Sequence, residues 1–294
     1  MNKYKLAIII LNFNTRKLLD DCLDSIYSNK LPRDCCICVV DNNSSDGSSE
    51  MIKSKYKQVE LIESPENGGF SKGNNIGLKK IEADWYLLLN SDTLVVGSAV
   101  GQINNYLDST KFDIFTCKVL NPDKTIQPNT GDLPFGISLI SWLSGARGLA
   151  KGKSFHHDVS FYSGEKEVGW VSGTAMIIKD SVLKKIGGLD ENIFMYGEDV
   201  EFCIRARKAG FNVGWADVAS IVHLGGGSSA DPKLRQWLGE FKGVLYIYKK
   251  YTNNLATIVV KLLIYLFVFL RAIVFLLLGK RSVSRTYFRI LGEL

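Results

Sequence analysis

The chain has 294 residues, enough for one large globular domain with an appendage, and its 46% hydrophobic content is ordinary for a folded protein. The formal charge of +6 is unevenly spread: residues 233–294 hold 11 Lys/Arg against 2 Asp/Glu, and the preceding 232 hold 25 against 28. A basic tail coinciding with the most apolar stretch suits an anionic membrane surface, and argues against nucleic acid, which needs a basic face on the folded body.

The first ninety residues alternate strand and helix patterns. Leu6 to Leu11 is a short apolar run typical of a strand buried on both faces, and Leu18, Leu19, Cys22, Leu23 and Ile26 follow at helical spacing. Ile37 to Val40 is a second strand, ending at Asp41. The run Cys35-Cys36-Ile37-Cys38 leads into it, so these cysteines belong to a buried strand and lack the paired CxxC spacing of a zinc site. The N-terminus carries no signal-peptide pattern, so free thiols in a reducing cytosol are expected. A helix including Met51 and Ile52, a strand over Val59 to Ile62, a helix over Ser71 to Ile81 and a strand over Trp85 to Leu89 complete the pattern. Such alternation predicts parallel strands with helices on both faces, and ligands then bind beyond the carboxyl ends of the strands. Polar residues gather at those ends: Asn12 and Asn14, Asp41 and Asn43, Asn67, and Asn90 with Asp92.

From Asn121 to Gly169 the periodicity weakens. Asn121-Pro122-Asp123 reads as a turn between short strands, and Pro134 to Leu149 as an apolar helix. Trp170 to Ile178 reads as one strand, Asp180 to Ile186 as a helix, and Asp199 to Ala209 as a helix capped by Gly210. His156 and His157 sit in a polar stretch without partner spacing and are expected to be solvated.

The turn after the first strand is Asn12-Phe13-Asn14-Thr15, so neither the dinucleotide fingerprint nor the Walker loop is present. A bound diphosphate must therefore be met by a metal or by side chains. Asp92, directly after a buried strand, is a candidate metal ligand; its plain alternative is an Asp capping the next turn. Met195-Tyr196-Gly197-Glu198-Asp199-Val200-Glu201 sets three acids at a helix start, which favours the helix dipole or serves as a general base. The dipole is expected to keep Asp199 ionised. His223 ends an apolar strand before Gly225-Gly226-Gly227-Ser228-Ser229, as a structural residue or as a second metal ligand.

Taken together, these segments resemble glycosyltransferase family 2, in particular the bacterial rhamnosyltransferase-like enzymes of surface polysaccharide synthesis. The resemblance covers roughly residues 4–230. It rests on Ile9-Ile10-Leu11-Asn12-Phe13-Asn14, Val39-Val40-Asp41-Asn42-Asn43-Ser44-Ser45-Asp46-Gly47 and the stretch from Asn67 to Gly77, then on Leu87-Leu88-Leu89-Asn90-Ser91-Asp92 and Gly187-Gly188-Leu189-Asp190-Glu191 through Glu201-Phe202. It implies an α/β GT-A fold, a Rossmann-like mixed sheet with helices on both faces. The domain would span 1–232, with a donor half of about 1–120 and an acceptor half of about 121–232, followed by a hydrophobic, basic helical tail over 233–294.

The resemblance further implies that Asp41 meets the nucleotide base or ribose. Asn12, Asn14, Asn43, Asn67, Gly69, Lys72, Asn74, Asn90 and Ser91 would line the donor pocket. Asp92 matches the last acid of the family's DxD motif, His223 a histidine that completes the shell of Mg²⁺ or Mn²⁺, and Asp199 the catalytic base. The first DxD acid is Asn90 here, which removes one negative charge and implies weaker metal binding. Trp170 and Glu198 are candidates for acceptor contact, Trp170 equally as a core residue opening a strand.

The implied activity is inverting transfer of a sugar from a nucleotide-diphosphate donor, first dTDP-rhamnose and then UDP-hexose or UDP-galactofuranose, to a lipid-linked or growing surface-glycan acceptor. A non-catalytic nucleotide-sugar-binding module would be expected to lose the base or the metal acid. A nucleotidyltransferase would carry a Gly-rich basic loop, and a processive synthase several spans and a QxxRW-type element. In the tail, Asn254, Thr257, Lys261, Tyr265 and Arg271 fall on one stripe of an otherwise apolar helix from about Leu255 to Leu278. That pattern predicts a helix lying in the membrane interface, its cationic stripe toward the headgroups, on the cytoplasmic side as a peripheral or monotopic attachment. The other reading packs the helix on the catalytic domain or on a second subunit of a homo-oligomer.

Overall fold

The computed structural model describes residues 3–145, 153–225 and 232–294. The chain opens with β1 (Tyr4–Asn12), α1 (Arg16–Tyr27), β2 (Cys35–Asp41), α2 (Ser48–Lys55), β3 (Glu60–Glu63), α3 (Gly69–Lys80) and β4 (Ala83–Asn90). These four strands are parallel. The chain continues through β5 (Thr93–Val95), α4 (Ala99–Tyr106), β6 (Ile114–Leu120), β7 (Thr130–Gly131), α5 (Ile137–Ser144), β8 (Lys166–Glu167), β9 (Trp170–Val171), β10 (Ala175–Lys179), α6 (Asp180–Ile186), α7 (Glu198–Lys208) and β11 (Val213–His223). The main sheet runs β3-β2-β1-β4-β10-β6-β11-β5. It is mixed: β10 lies antiparallel to both β4 and β6, and β5 antiparallel to β11.

Alternation along β1 divides the interior into two layers. Leu6, Ile8 and Ile10 pack with α1, α2 and α4 on one face, and Ala7 and Ile9 join the core of the other. The cysteines of β2 are free thiols, and burial raises those of Cys35, Cys36 and Cys38 to about 12.

Two expectations are corrected and a third is met within the described residues. The strand expected over 170–178 is broken into β9 and β10 by the turn at Ser172, Gly173 and Thr174. His157 is not solvated: it is buried, 3.0 Å from Thr130 Oγ1 and stacked on Phe161. The helix expected over 134–149 is present as α5; residues 146–149 lie outside the described residues, as do 226–229 of the glycine-rich stretch.

Three helices follow: α8 (Pro232–Tyr251), α9 (Asn254–Leu277) and α10 (Arg281–Glu293). The sequence reading groups all three as a tail, yet α8 is bolted to the body. Glu201 of α7, fully buried, accepts from Arg205 Nε at 2.9 Å, Lys250 Nζ at 2.7 Å and Tyr251 Oη at 2.7 Å. Asp190 accepts from Tyr246 Oη at 2.7 Å and from Lys250 Nζ at 2.6 Å, and these donors hold its carboxyl below the usual range despite burial. A buried carboxylate needs such partners, and here α8 supplies them.

Glycines allow the close approach. Gly197, in a left-handed conformation at φ 99°, faces Gly243, whose Cα a side chain at 197 would meet at 2.9 Å. Helix α9 buries only Val260, Ile264, Val268 and Ala272, at successive four-residue spacing, and leaves Leu262, Leu266, Phe269 and Leu270 exposed. Its Arg271 does not join a headgroup stripe. It turns into the protein and donates to the carbonyl of Trp142 at 2.6 Å.

Candidate active site

The carboxyl edge of the sheet carries the expected polar residues because the register aligns them: Asn12 pairs with Asp41, and Leu11 with Asn90. Asn12 and Asp41 are both buried and largely engaged with one another. Asn12 Nδ2 donates to Asp41 Oδ1 at 2.7 Å, and Asp41 Oδ2 accepts from the backbone N–H of Ser44 at 3.0 Å. Thr15 Oγ1 donates to Asn12 Oδ1 at 2.7 Å and lies 2.9 Å from Ser91 Oγ. This polar floor sets the turn after β1 against the turn after β4.

A cleft of about 700 Å³ opens above it. Asn67, Gly69, Asn90, Ser91 and Asp92 line it on the strand-end side. Asn42 lines it as well, where the sequence pointed to Asn43. Asn42 is buried and donates to Asn67 Oδ1 at 2.8 Å, whereas Asn43 is exposed in a left-handed turn conformation. Three other expected donor residues are engaged elsewhere. Asn14 is exposed and accepts from the N–H of Ser45 at 2.8 Å. Lys72 pairs with Glu66 at 2.6 Å, and Asn74 donates to the carbonyl of Phe70 within α3.

Asp92 and His223 meet. The antiparallel pairing of β5 with β11 sets Thr93 opposite His223, and the N–H of Leu224 donates to the carbonyl of Asp92 at 2.9 Å. His223 Nε2 then lies 3.2 Å from Asp92 Oδ1, and His223 Nδ1 lies 2.9 Å from Gln127 Oε1. With Nδ1–H donated to Gln127, Nε2 faces Asp92 and the cleft. One carboxylate and one imidazole fit a Mg²⁺ or Mn²⁺ ion that takes its remaining ligands from water and phosphate oxygens. Among the described residues no group of three His, Cys, Asp or Glu side chains forms an all-protein metal cage. Gln127 escaped the sequence reading because it lies in a loop without periodicity.

The opposite wall comes from α7, α8 and the segment before β10. Asp199, at the start of α7, accepts from Val200 N–H at 2.8 Å and from Gly173 N–H at 3.2 Å. The turn that interrupts the expected strand thus supplies one of its donors. Burial outweighs these donors and raises the Asp199 carboxyl above its ordinary value, contrary to the expectation from the helix dipole alone. Glu198, 5% exposed, is raised to about 8, first by burial and then by the charge of Asp199. Its Oε2 has no hydrogen-bond partner among the described residues. Glu240 of α8 lines the same space, and burial raises it to about 7. Trp170 is a buried residue opening β9, with Nε1 anchored on the carbonyl of Phe155 at 2.9 Å, and it also lines the cleft beside His156.

Similarity to known proteins agrees with this geometry. The hexosyltransferase Agl10 of low-salt glycan biosynthesis in Haloferax volcanii is 29% identical over 74% of this chain and 66% of its own length. The N-acetylglucosaminyl-diphospho-decaprenol L-rhamnosyltransferase of Mycobacterium tuberculosis is 24% identical over 65% of this chain and 67% of its own length. The chain therefore spans about two thirds of these relatives.

Among solved structures, S. aureus TarS superposes with a TM-score of 0.59 at 15% identity, over 84% of this chain and 39% of that one. The mannosyltransferase PcManGT from Pyrobaculum calidifontis, in complex with GDP-Man and Mn²⁺, superposes with a TM-score of 0.56 at 15% identity, over all of this chain and 75% of that one. The fold is GT-A. A family model described as "Glycosyltransferase like family 2" matches residues 4–236, and the chain belongs to that family.

Proposed function

We propose that this chain is an inverting glycosyltransferase that moves a sugar from a nucleoside-diphosphate donor to a hydroxyl of a lipid-linked or growing glycan acceptor. The observation that carries the proposal is one cleft with an Asp92–His223 pair on one wall and a half-buried Asp199, held by the N–H of Gly173, on the other. A divalent cation held by Asp92 and His223 would offset the negative charge that builds on a departing diphosphate. Gln127 orients His223 for that role. Asn67, Asn90 and Ser91 offer hydrogen bonds to the donor, and Asp199 takes the proton of the attacking hydroxyl, its N–H partners fixing the carboxylate against the cleft. One displacement from the opposite face inverts the anomeric centre and needs no carboxylate nucleophile.

Rhamnose from dTDP-rhamnose is the donor sugar we favour, supported by the mycobacterial relative that carries rhamnosyltransferase in its name. The test is a thermal-shift screen of dTDP, UDP and GDP with Mn²⁺ or Mg²⁺. A ligand of the native state raises the melting temperature, and we expect the largest rise with dTDP and metal. No rise with any of the three refutes nucleotide-sugar use.

We further propose that α9 and α10 hold the enzyme on the cytoplasmic face of a membrane, close to a lipid-linked acceptor. Helix α9 is strongly apolar and mostly unburied, with a mean hydropathy of 2.6 and about 22% of its most apolar stretch buried, and Lys280, Arg281, Arg285 and Arg289 stand exposed beside it. An exposed apolar stripe flanked by cations suits an anionic bilayer. Replacing Leu262, Leu266 and Phe269 together with Glu leaves the buried face of α9 intact and should abolish flotation with anionic liposomes. Retained flotation removes α9 from this role.

A further inference from the structure

The described residues that line the cleft include four acids, Asp92, Glu198, Asp199 and Glu240, and one Lys or Arg side chain, Arg235. The backbone under Arg235 is held on three sides. It stands one turn before Gly239 and two before Gly243, the glycines that pack α8 against Tyr196 and Gly197. Leu234 beside it is buried, and Trp237 stacks on Tyr287 with ring centroids 4.9 Å apart. The side chain of Arg235 is exposed, and no other described residue makes a hydrogen bond or ion pair with it. Tyr196 lies between this arginine and the Asp92–His223 pair. Burial raises the Tyr196 hydroxyl, the charges of Glu198, Glu240 and Asp92 raise it further, and that of Arg235 lowers it. One phenol thus stands within electrostatic reach of both Arg235 and Asp92.

From this arrangement we infer that Arg235 is a phosphate-binding residue, which takes a substrate diphosphate from the helical wall, across the cleft from Asp92 and His223. The inference rests on the glycosyltransferase reading and adds a binding residue to it. Its physical reason is the balance of charge. A divalent ion on Asp92 and His223 shares its charge with a carboxylate, and a departing diphosphate carries more negative charge than the ion has left. The other acids of the cleft add to the deficit. Arginine suits the remainder, because its planar fork grips two phosphate oxygens at once and stays charged throughout the working pH range. The backbone of Arg235 is fixed by its neighbours, so little order has to be imposed when a phosphate arrives. Under the proposed function a diphosphate reaches this cleft from two sources, the nucleotide of the donor and the lipid-linked acceptor.

The test uses the full chain with Mn²⁺ and isothermal titration. The affinities of dTDP, UDP and GDP are measured first, then that of geranyl diphosphate, an acceptor-side probe, at saturating nucleotide. Arg235→Gln should weaken binding of a diphosphate by about tenfold or more, the usual loss when a charge-assisted pair is removed. Arg235→Lys should restore part of it, since the charge returns without the fork. The melting temperature of the ligand-free protein should stay close to its original value in both variants, because the side chain is exposed. A fall for the nucleotides assigns Arg235 to the donor diphosphate, and a fall for geranyl diphosphate assigns it to that of the acceptor. Unchanged affinity for every diphosphate that the unaltered protein binds overturns the inference. If no nucleotide binds the unaltered protein, the glycosyltransferase reading falls first, and the two failures are told apart.

Discussion

On the strand-end side of the cleft, Asn12, Asp41, Asn42, Asn67 and Thr15 are hydrogen-bonded to one another, and His223 is oriented by Gln127. On the helical side, Glu198 keeps an unpartnered oxygen, and Asp199, Glu198 and Glu240 are all raised above the ordinary carboxyl range by burial. The first wall is organised before any ligand arrives and suits a fixed, highly charged group such as a diphosphate. The second keeps one buried oxygen, Glu198 Oε2, without a partner among the described residues. Strand ends held by a register of backbone hydrogen bonds make the first kind of wall. A helix docked on another helix makes the second, because its side chains reach the cleft without a shared ladder to bind them.

Removing the proposed base breaks this contrast most directly. Asp199→Asn keeps the shape and the strand-end wall, and should lower turnover by at least about a hundredfold with donor affinity nearly unchanged, measured by steady-state kinetics. A matching fall in donor affinity would join the two walls into one unit. A smaller effect is expected from Gln127→Leu, which frees the His223 ring. The metal concentration for half-maximal activity should rise by about tenfold while the melting temperature of the metal-free protein stays close to its original value.

Packing on the helical side gives a third measurement. Gly243→Val forces a branched side chain against the Tyr196 carbonyl, which even a Cβ would approach to 2.7 Å, and against Gly197. It should cost about 1–3 kcal/mol of stability in denaturant titration and weaken acceptor use more than nucleotide binding. The mildest test is pH. Between its ordinary value near 4.5 and about 8, folded Glu198 holds a proton that the unfolded chain releases, so its contribution to stability is lost as pH rises through that window. Glu198→Gln should flatten this part of the melting-temperature profile, and an unchanged slope would assign it to other groups.

Much of the strand-end wall was legible in the sequence, since an apolar run followed by a polar residue marks a strand's carboxyl end. The limit was one residue of phase. Asn42 and Asn43 follow the same strand, and only the left-handed turn at Asn43 decides which one faces the cleft. Lys72 and Asn74 sit in a recognisable motif, but their partners, Glu66 and the carbonyl of Phe70, are set by the local path of α3. His157 looked polar and exposed because its partners, Thr130 and Phe161, come from a stretch without periodicity. Glu240 and Arg271 were invisible as site and core residues for a related reason. The sequence leaves a membrane-associating tail and a helix packed on the body both open, and only the partners decide: Asp190 and Glu201 grip α8, and Trp142 captures Arg271.

The glycine contact between Gly197 and Gly243 also governs how this protein can diversify. One turn away from Gly243, Gly239 lies so close to Tyr196 that neither helical glycine can gain a side chain without lifting α8 from the loop at Tyr196 and Gly197. The positions around them, 240, 244 and 247, face open volume instead of backbone. Substitutions there can exchange the side chains that line this wall of the cleft while the docking of the helix and the setting of Asp199 stay as they are. Under the proposed function, a descendant could thus acquire a new acceptor by single changes along one helix face, with the strand-end wall untouched.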